Sequence, residues 1–256
     1  MRASDMADRE PTEARSADGH PTVRLAPKTI HVFALDLAQT GANGDQRGNG
    51  TRPRRGPQRS PFPQPARRHR DPATEDWLRC ILGACTGRDP QSLVIARTAE
   101  GQPLLHGQDP MERTCFSLSH SAALMLLAVT RDWPVGVDVE AIRPIPVMSS
   151  IAEYYFSPAE RRELLSVRSE DRLRAFFNGW TRKEAFVKAT GDGMARDFRS
   201  FDVTLAPGSA PALSAVRSHG TMEVSDAWEI FAFEPRPGYV AAAVARGGGW
   251  RLAFDD

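Results

Sequence analysis

The stretch from Leu173 to Lys188 constrains the fold most, because it reads as a helix whose apolar stripe contains a carboxylate. At 3.6 residues per turn, Leu173, Phe177, Trp180, Glu184 and Lys188 fall along one stripe. Burying an uncompensated carboxylate is costly, so Glu184 requires a cation, a metal or an arginine beside it. A second run, Gly136-Val137-Asp138-Val139-Glu140, carries two more carboxylates. In an extended strand Asp138 and Glu140 share one face while Val137 and Val139 take the other.

Magnesium prefers oxygen ligands and is commonly held by carboxylates together with substrate phosphates. Asp138, Glu140 and Glu184 match that set, and Lys183 and Lys188, the latter one helical turn beyond Glu184, can neutralise phosphate charge. The competing reading is an ordinary ion pair between Glu184 and Lys188, with Asp138 and Glu140 facing solvent. The apolar neighbours of Glu184 count against it. Ser117-Leu118-Ser119-His120-Ser121 adds a histidine among hydroxyls at the end of an apolar strand. No G-x-S-x-G turn supports a serine hydrolase.

A chain of 256 residues with 41% hydrophobic content suffices for one sizeable domain or two small halves. The formal net charge of +1 argues against a general nucleic-acid or membrane-surface binder, which would carry a basic excess. Cys80, Cys85 and Cys115 form no C-x-x-C pair, which suits a reducing compartment. No apolar run reaches the roughly 18 to 20 residues that span a bilayer, and the N-terminus has no signal-peptide core. The expected location is the cytoplasm.

Residues 1–28 mix charged, Pro, Gly and Ser residues without apolar period and are expected to form a disordered tail. An N-terminal half over 29–133 follows, interrupted by a Gly/Pro/Arg-rich loop at 41–72, then a C-terminal half over 134–246 and a tail at 247–256. Thr29 to Leu37, Leu93 to Ala96, Cys115 to Leu118 and Ala122 to Thr130 read as strands, and Asp76 to Cys85 as a helix. Arg131-Asp132-Trp133-Pro134 predicts a short turn between adjacent antiparallel strands. Ser157-Pro158-Ala159-Glu160 carries an N-cap serine, a first-turn proline and a capping-box glutamate. Gly191 and Gly193 end the helix of Glu184. Helices mixed with antiparallel strands, without regular βαβ alternation, predict an α+β fold.

Phe116 to Ser121, Gly136 to Glu140, and Trp180-x-x-Lys183-Glu184-Ala185-x-x-Lys188 followed by Gly191 and Gly193 stand in an order and spacing that resembles the 4′-phosphopantetheinyl transferases of the large, surfactin-synthetase-activating type. The resemblance covers about residues 76 to 245. It implies a pseudo-dimer of two similar α+β halves with the active site between them, and a monomeric protein. It further implies coenzyme A and an apo acyl or peptidyl carrier protein as substrates, with Mg²⁺ required. By motif position Asp138, Glu140 and Glu184 match the metal ligands and Lys188 the phosphate-contacting lysine. Ser119 and His120 match the pair that meets the 3′-phosphate side of coenzyme A, and Lys183 is a further phosphate contact. Glu184 is also the candidate general base, for a reaction in which a carrier serine attacks the β-phosphate and 3′,5′-ADP leaves.

Two departures stand out. The family usually has Gly-Lys-Pro where this chain has Gly101-Gln102-Pro103, so Gln102 offers a hydrogen bond in place of a charge. The basic segment after the first strand is replaced by the Gly/Pro/Arg stretch, leaving Arg70 as the remaining nucleotide contact. Carrier proteins are generally acidic, which points to Arg161, Arg162, Arg168, Arg172 and Arg174, or the apolar segment Val147 to Phe156, as a docking surface. The rival readings are a Mg²⁺-dependent phosphohydrolase or nuclease using the same carboxylates, a non-catalytic coenzyme A binder, and a nucleic-acid module using the Arg-rich arm.

Overall fold

Period-two alternation in the central strands builds the molecule, since each strand has one face for a helix and one for a second sheet. The structure, a computed structural model, describes residues 14–15, 21–39, 72–109, 113–218, 221–223 and 227–255. In chain order these form β1 (Ala14–Arg15), β2 (Pro21–Thr22), β3 (Thr29–Asp36), α1 (Pro72–Thr86), β4 (Ile95–Arg97), β5 (Pro103–Leu105), β6 (Thr114–Ser121), β7 (Leu124–Arg131) and β8 (Val135–Ala141). Then come α2 (Met148–Tyr155), α3 (Pro158–Ser166), α4 (Arg172–Thr190), β9 (Phe201–Val203), β10 (Leu213–Ser218), β11 (Thr221–Glu223), β12 (Trp228–Phe233), β13 (Tyr239–Arg246) and β14 (Arg251–Asp255).

Two sheets, ordered β14-β3-β7-β6 and β12-β13-β8, lie face to face. Ile30, Val32, Leu126 and Ala128 of the first meet Val137, Val139, Ala241 and Ala243 of the second in one core. On the outer face of the first sheet, Phe33, Leu127 and Val129 pack with Leu78 and Leu82 of α1. On the outer face of the second, Val240, Ala242 and Val244 pack with Trp180, Ala185 and Phe186 of α4. The layers run helix, sheet, sheet, helix, an α+β arrangement as expected.

Helix ends follow their local chemistry. The Ser157 hydroxyl accepts from the Glu160 N–H while the Glu160 carboxylate accepts from the Ser157 N–H, which completes the capping box of α3. Gly191 closes α4 at φ 80°, in the left-handed region where glycine costs least.

Three expectations are corrected. The described end of the 1–28 tail is packed: Leu25 is buried, and the Val23 N–H donates to Ala84 O at 3.0 Å. Two isolated apolar residues make no periodic pattern, yet they seal the end of α1. The 247–256 tail instead buries Trp250 and supplies β14, which pairs in parallel with β3 from Arg251↔Thr29 to Asp255↔Phe33. Finally, β7 and β8 are not hairpin partners, because the turn at Trp133-Pro134 hands the chain from one sheet to the other. Residues 40–71, with Arg70 and nearly all of the Gly/Pro/Arg stretch, lie outside the described residues, as does most of the N-terminal tail.

Candidate active site

Gly136 decides how close α4 comes to β8. A Cβ there would lie 1.9 Å from Ala185 O and 2.6 Å from Ala189 N, so a residue without a side chain lets the helix backbone rest directly on the strand. That approach carries Lys188 to β8, where its Nζ donates to Val137 O at 2.9 Å and to Asp138 Oδ1 at 2.8 Å. Glu184, one turn earlier, opens onto the same side.

The two acidic residues of β8 are held from the opposite side by β6. Ser119 donates to Asp138 Oδ1 at 2.7 Å and Ser121 to Glu140 Oε2 at 2.6 Å. Arg143 Nη1 also donates to Glu140 Oε2, at 3.0 Å. Asp138 and Glu140 therefore do share a face, and it is an interior one rather than a solvent face.

Burial raises the Asp138 carboxyl above its ordinary range, against the pull of Lys188 and Ser119. Burial and then the Asp138 charge raise Glu140, and Ser121 and Arg143 oppose them. Glu184 is pushed up to about 7, first by burial and then by the Asp138 charge, with Lys188 lowering it and Glu140 adding to the rise. Three carboxyl groups thus repel one another around a single lysine.

A cleft of about 350 Å³ opens between the two halves of the chain. Gln102, Ser117, Glu184 and Lys188 line it, and Tyr155, Trp180 and Phe198 form an aromatic wall with ring centroids 5.5 to 5.8 Å apart. Gln102 reaches across the cleft, its Nε2 donating to Lys188 O at 3.0 Å. It ties the turn between β4 and β5 to the last turn of α4.

The remaining site residues divide. Ser119 and His120 turn to opposite faces of β6: Ser119 is buried toward β8, while His120 shares the α1 side with Phe116 and Leu118. Lys183 is corrected outright, because its side chain is fully buried on another side of α4 and cannot reach a phosphate. Its Nζ lies 2.8 Å from Glu160 Oε1 and donates to Phe198 O and Phe201 O at 2.6 and 2.7 Å. The signal that misleads is adjacency to Glu184, since neighbouring helix positions point about 100° apart. Arg70 lies outside the described residues.

Arg97, Arg196 and Arg199 also line the cleft and escape a reading by motif. Only Arg196 and Arg199 carried a usable signal, as cations just past the glycine stop of α4.

Among the described residues no three His, Cys, Asp or Glu groups are gathered tightly enough to enclose an ion as they stand. The donor set nonetheless fits a hard dication. All its donors are carboxylate oxygens, Asp138 Oδ2 is buried with no hydrogen-bond partner among the described residues, and the mutual repulsion at Glu184 is of the kind a cation relieves.

A family model described as the 4′-phosphopantetheinyl transferase superfamily matches residues 134–244, the segment that contains Asp138, Glu140, Glu184 and Lys188. The chain is 34% identical over 190 residues to the 4′-phosphopantetheinyl transferase HetI of Nostoc sp., covering 74% of this chain and 76% of that protein. It is 29% identical over 177 residues to the 4′-phosphopantetheinyl transferase Sfp of Bacillus subtilis, covering 69% and 74% respectively. The match to the 4′-phosphopantetheinyl transferase psf-1 of Bacillus pumilus is 44% identical over 132 residues, covering 52% of this chain and 54% of that one.

Proposed function

The chain belongs to the 4′-phosphopantetheinyl transferase superfamily, and on that premise we propose that it moves the 4′-phosphopantetheine arm of coenzyme A onto a serine of an apo acyl or peptidyl carrier protein in a Mg²⁺-dependent reaction. The observation that carries this reading is the meeting of Glu184 and Lys188, both open to the cleft, with Asp138 behind them.

Asp138, Glu140 and Glu184 would hold the metal, which supplies charge neutralisation for the diphosphate of coenzyme A. The carrier serine hydroxyl attacks the β-phosphorus. A new P–O bond forms as the bond to the adenosine-bearing phosphate breaks, and 3′,5′-ADP leaves with the electron pair. Glu184 takes the hydroxyl proton, a role suited to a carboxylate in a partly desolvated cleft. Lys188 has three N–H donors, of which two go to Val137 O and Asp138 Oδ1, so one remains for a phosphate oxygen. Catalysis on this reading is positioning plus electrostatic stabilisation.

No helix among the described residues is long and apolar enough to cross a membrane. A monomeric, cytoplasmic enzyme is part of the same proposal, as is docking of the acidic carrier beside α2 and α3, where Tyr154 and Leu165 are exposed.

The test is incubation with coenzyme A, Mg²⁺ and an apo carrier protein. The carrier should gain the mass of one phosphopantetheine arm as 3′,5′-ADP appears in equal amount. Nucleotide release without a carrier would point to a phosphohydrolase instead, and no reaction at all to a coenzyme A binder.

A further inference from the structure

β6 and β8 are the edge strands of two different sheets, and at the site they are joined through side chains. The hydroxyls of Ser117, Ser119 and Ser121 accept from the N–H groups of Val137, Val139 and Ala141 at 3.1, 3.3 and 3.1 Å. Serines two apart on one strand thus satisfy the outward N–H groups two apart on the other, which is how this buried sheet edge is closed.

A hydroxyl that accepts in this way has its own proton to direct elsewhere. Ser119 directs it to Asp138 Oδ1 and Ser121 to Glu140 Oε2. Ser117 stands at the rung of Gly136-Val137, where Gly136 offers no carboxylate. The ladder therefore has two rungs that serve an acidic side chain and one that serves backbone alone.

We propose that Ser121, with Ser119, is a positioning residue that sets the carboxylate of Glu140, and of Asp138, for a divalent cation. This rests on the metal-ligand reading given under Proposed function. Each β6 hydroxyl is itself oriented by a backbone N–H of β8, so the strand that carries the carboxylate also fixes the group that orients it. Without the Ser121 hydroxyl, Arg143 is left as the partner of Glu140 Oε2 and draws the carboxylate toward itself. Hydrogen-bond partners that orient a metal ligand typically change metal affinity by about 10- to 100-fold when removed.

The experiment uses the full chain with coenzyme A and Mn²⁺ as the probe, free Mn²⁺ being read by electron paramagnetic resonance. Ser121→Ala should weaken Mn²⁺ binding about tenfold, and Ser121→Thr should restore it. Ser214→Ala, which removes an exposed β10 hydroxyl bonded to Asp202 O outside the cleft, should leave Mn²⁺ affinity at the wild-type value. Thermal midpoints of all variants separate loss of fold from loss of the metal. Should Ser121→Ala not fold, Ser119→Ala carries the same expectation through Asp138. Wild-type Mn²⁺ affinity in Ser121→Ala, or equal weakening in Ser214→Ala, overturns the inference. Failure of the wild-type protein to bind Mn²⁺ overturns the metal reading beneath it, a separate outcome.

Discussion

Gly136 and Ala185 meet backbone to backbone: the Ala185 carbonyl oxygen occupies the space in which a side chain on Gly136 would begin. The reach of Lys188 and Glu184 toward β8 depends on this contact, because it sets the height of α4 above the strand. Gly136→Ala would place its Cβ against three backbone atoms of a helix, which cannot yield as a side-chain tip does. The expected cost is about 3 kcal/mol or more, read as a lower urea midpoint. A loss under about 1 kcal/mol would mean that α4 stands further from the strand.

Glu184→Gln separates catalysis from stability. The substitution removes a charge that burial and two neighbouring carboxylates disfavour, so the folded state should be unchanged or somewhat more stable. Turnover should fall by about 10² to 10⁴, the usual contribution of a positioned acid or base. Matched thermal melts and carrier-modification rates check this, and full activity would remove Glu184 from the chemistry.

Lys188→Ala should differ from it in kind. It strips the cation from buried Asp138, whose Oδ1 keeps the Ser119 hydroxyl but no longer has a charged partner in Lys188. Both activity and stability should fall, the latter by about 2 to 4 kcal/mol for a buried charge left unpaired. Unchanged unfolding free energy would show that Asp138 takes up a proton at little cost.

Lys183→Met tests the reassignment of that lysine. Removing one partner of its fully buried pair with Glu160 should cost about 3 to 5 kcal/mol. Adding Glu160→Gln should recover part of this. At a temperature where the variant is folded, its affinity for coenzyme A should match the wild type in a calorimetric titration, and a selective loss of affinity would return Lys183 to the phosphate site.

Asp202 supplies a pH-dependent contribution. Burial raises its carboxyl, but hydrogen bonds to Arg217 and Ser157 and the charges of Arg217 and Lys183 together outweigh burial and hold it below its ordinary value of 3.8. Its ionised form is therefore favoured in the fold. The stabilisation is present in full above about pH 3.8 and is lost as pH falls through the lower folded value. Asp202→Asn should be less stable at pH 7 and show a flatter acid limb below pH 4 in unfolding curves. Parallel wild-type and variant curves would exclude this contribution.

Much of the site is legible along the chain because it is periodic. Alternation in Gly136 to Glu140 places Asp138 and Glu140 on one face, and a carboxylate in the apolar stripe of α4 demands a polar partner. Capping chemistry at Ser157 and the left-handed Gly191 are equally local. Lys183 was misread because its function depends on which side of a helix buried all round meets Glu160, and sequence neighbours carry no sign of that. The packed Leu25 and the strand at Arg251–Asp255 were missed because each is stabilised by partners far away in sequence.

Short-range pattern alone determined that this chain has strands with two carboxylates on one side, a helix bearing Glu184 and Lys188, and an α+β composition. Only the tertiary structure decided that Lys188 would be spent partly on Asp138, that serines of one sheet edge would hold the acids of another, and that Lys183 would be sealed away. The reason is physical: periodicity is a property of a single element, whereas a charge finds its partner through contacts between elements, whose distances depend on packing such as that of Gly136 against Ala185.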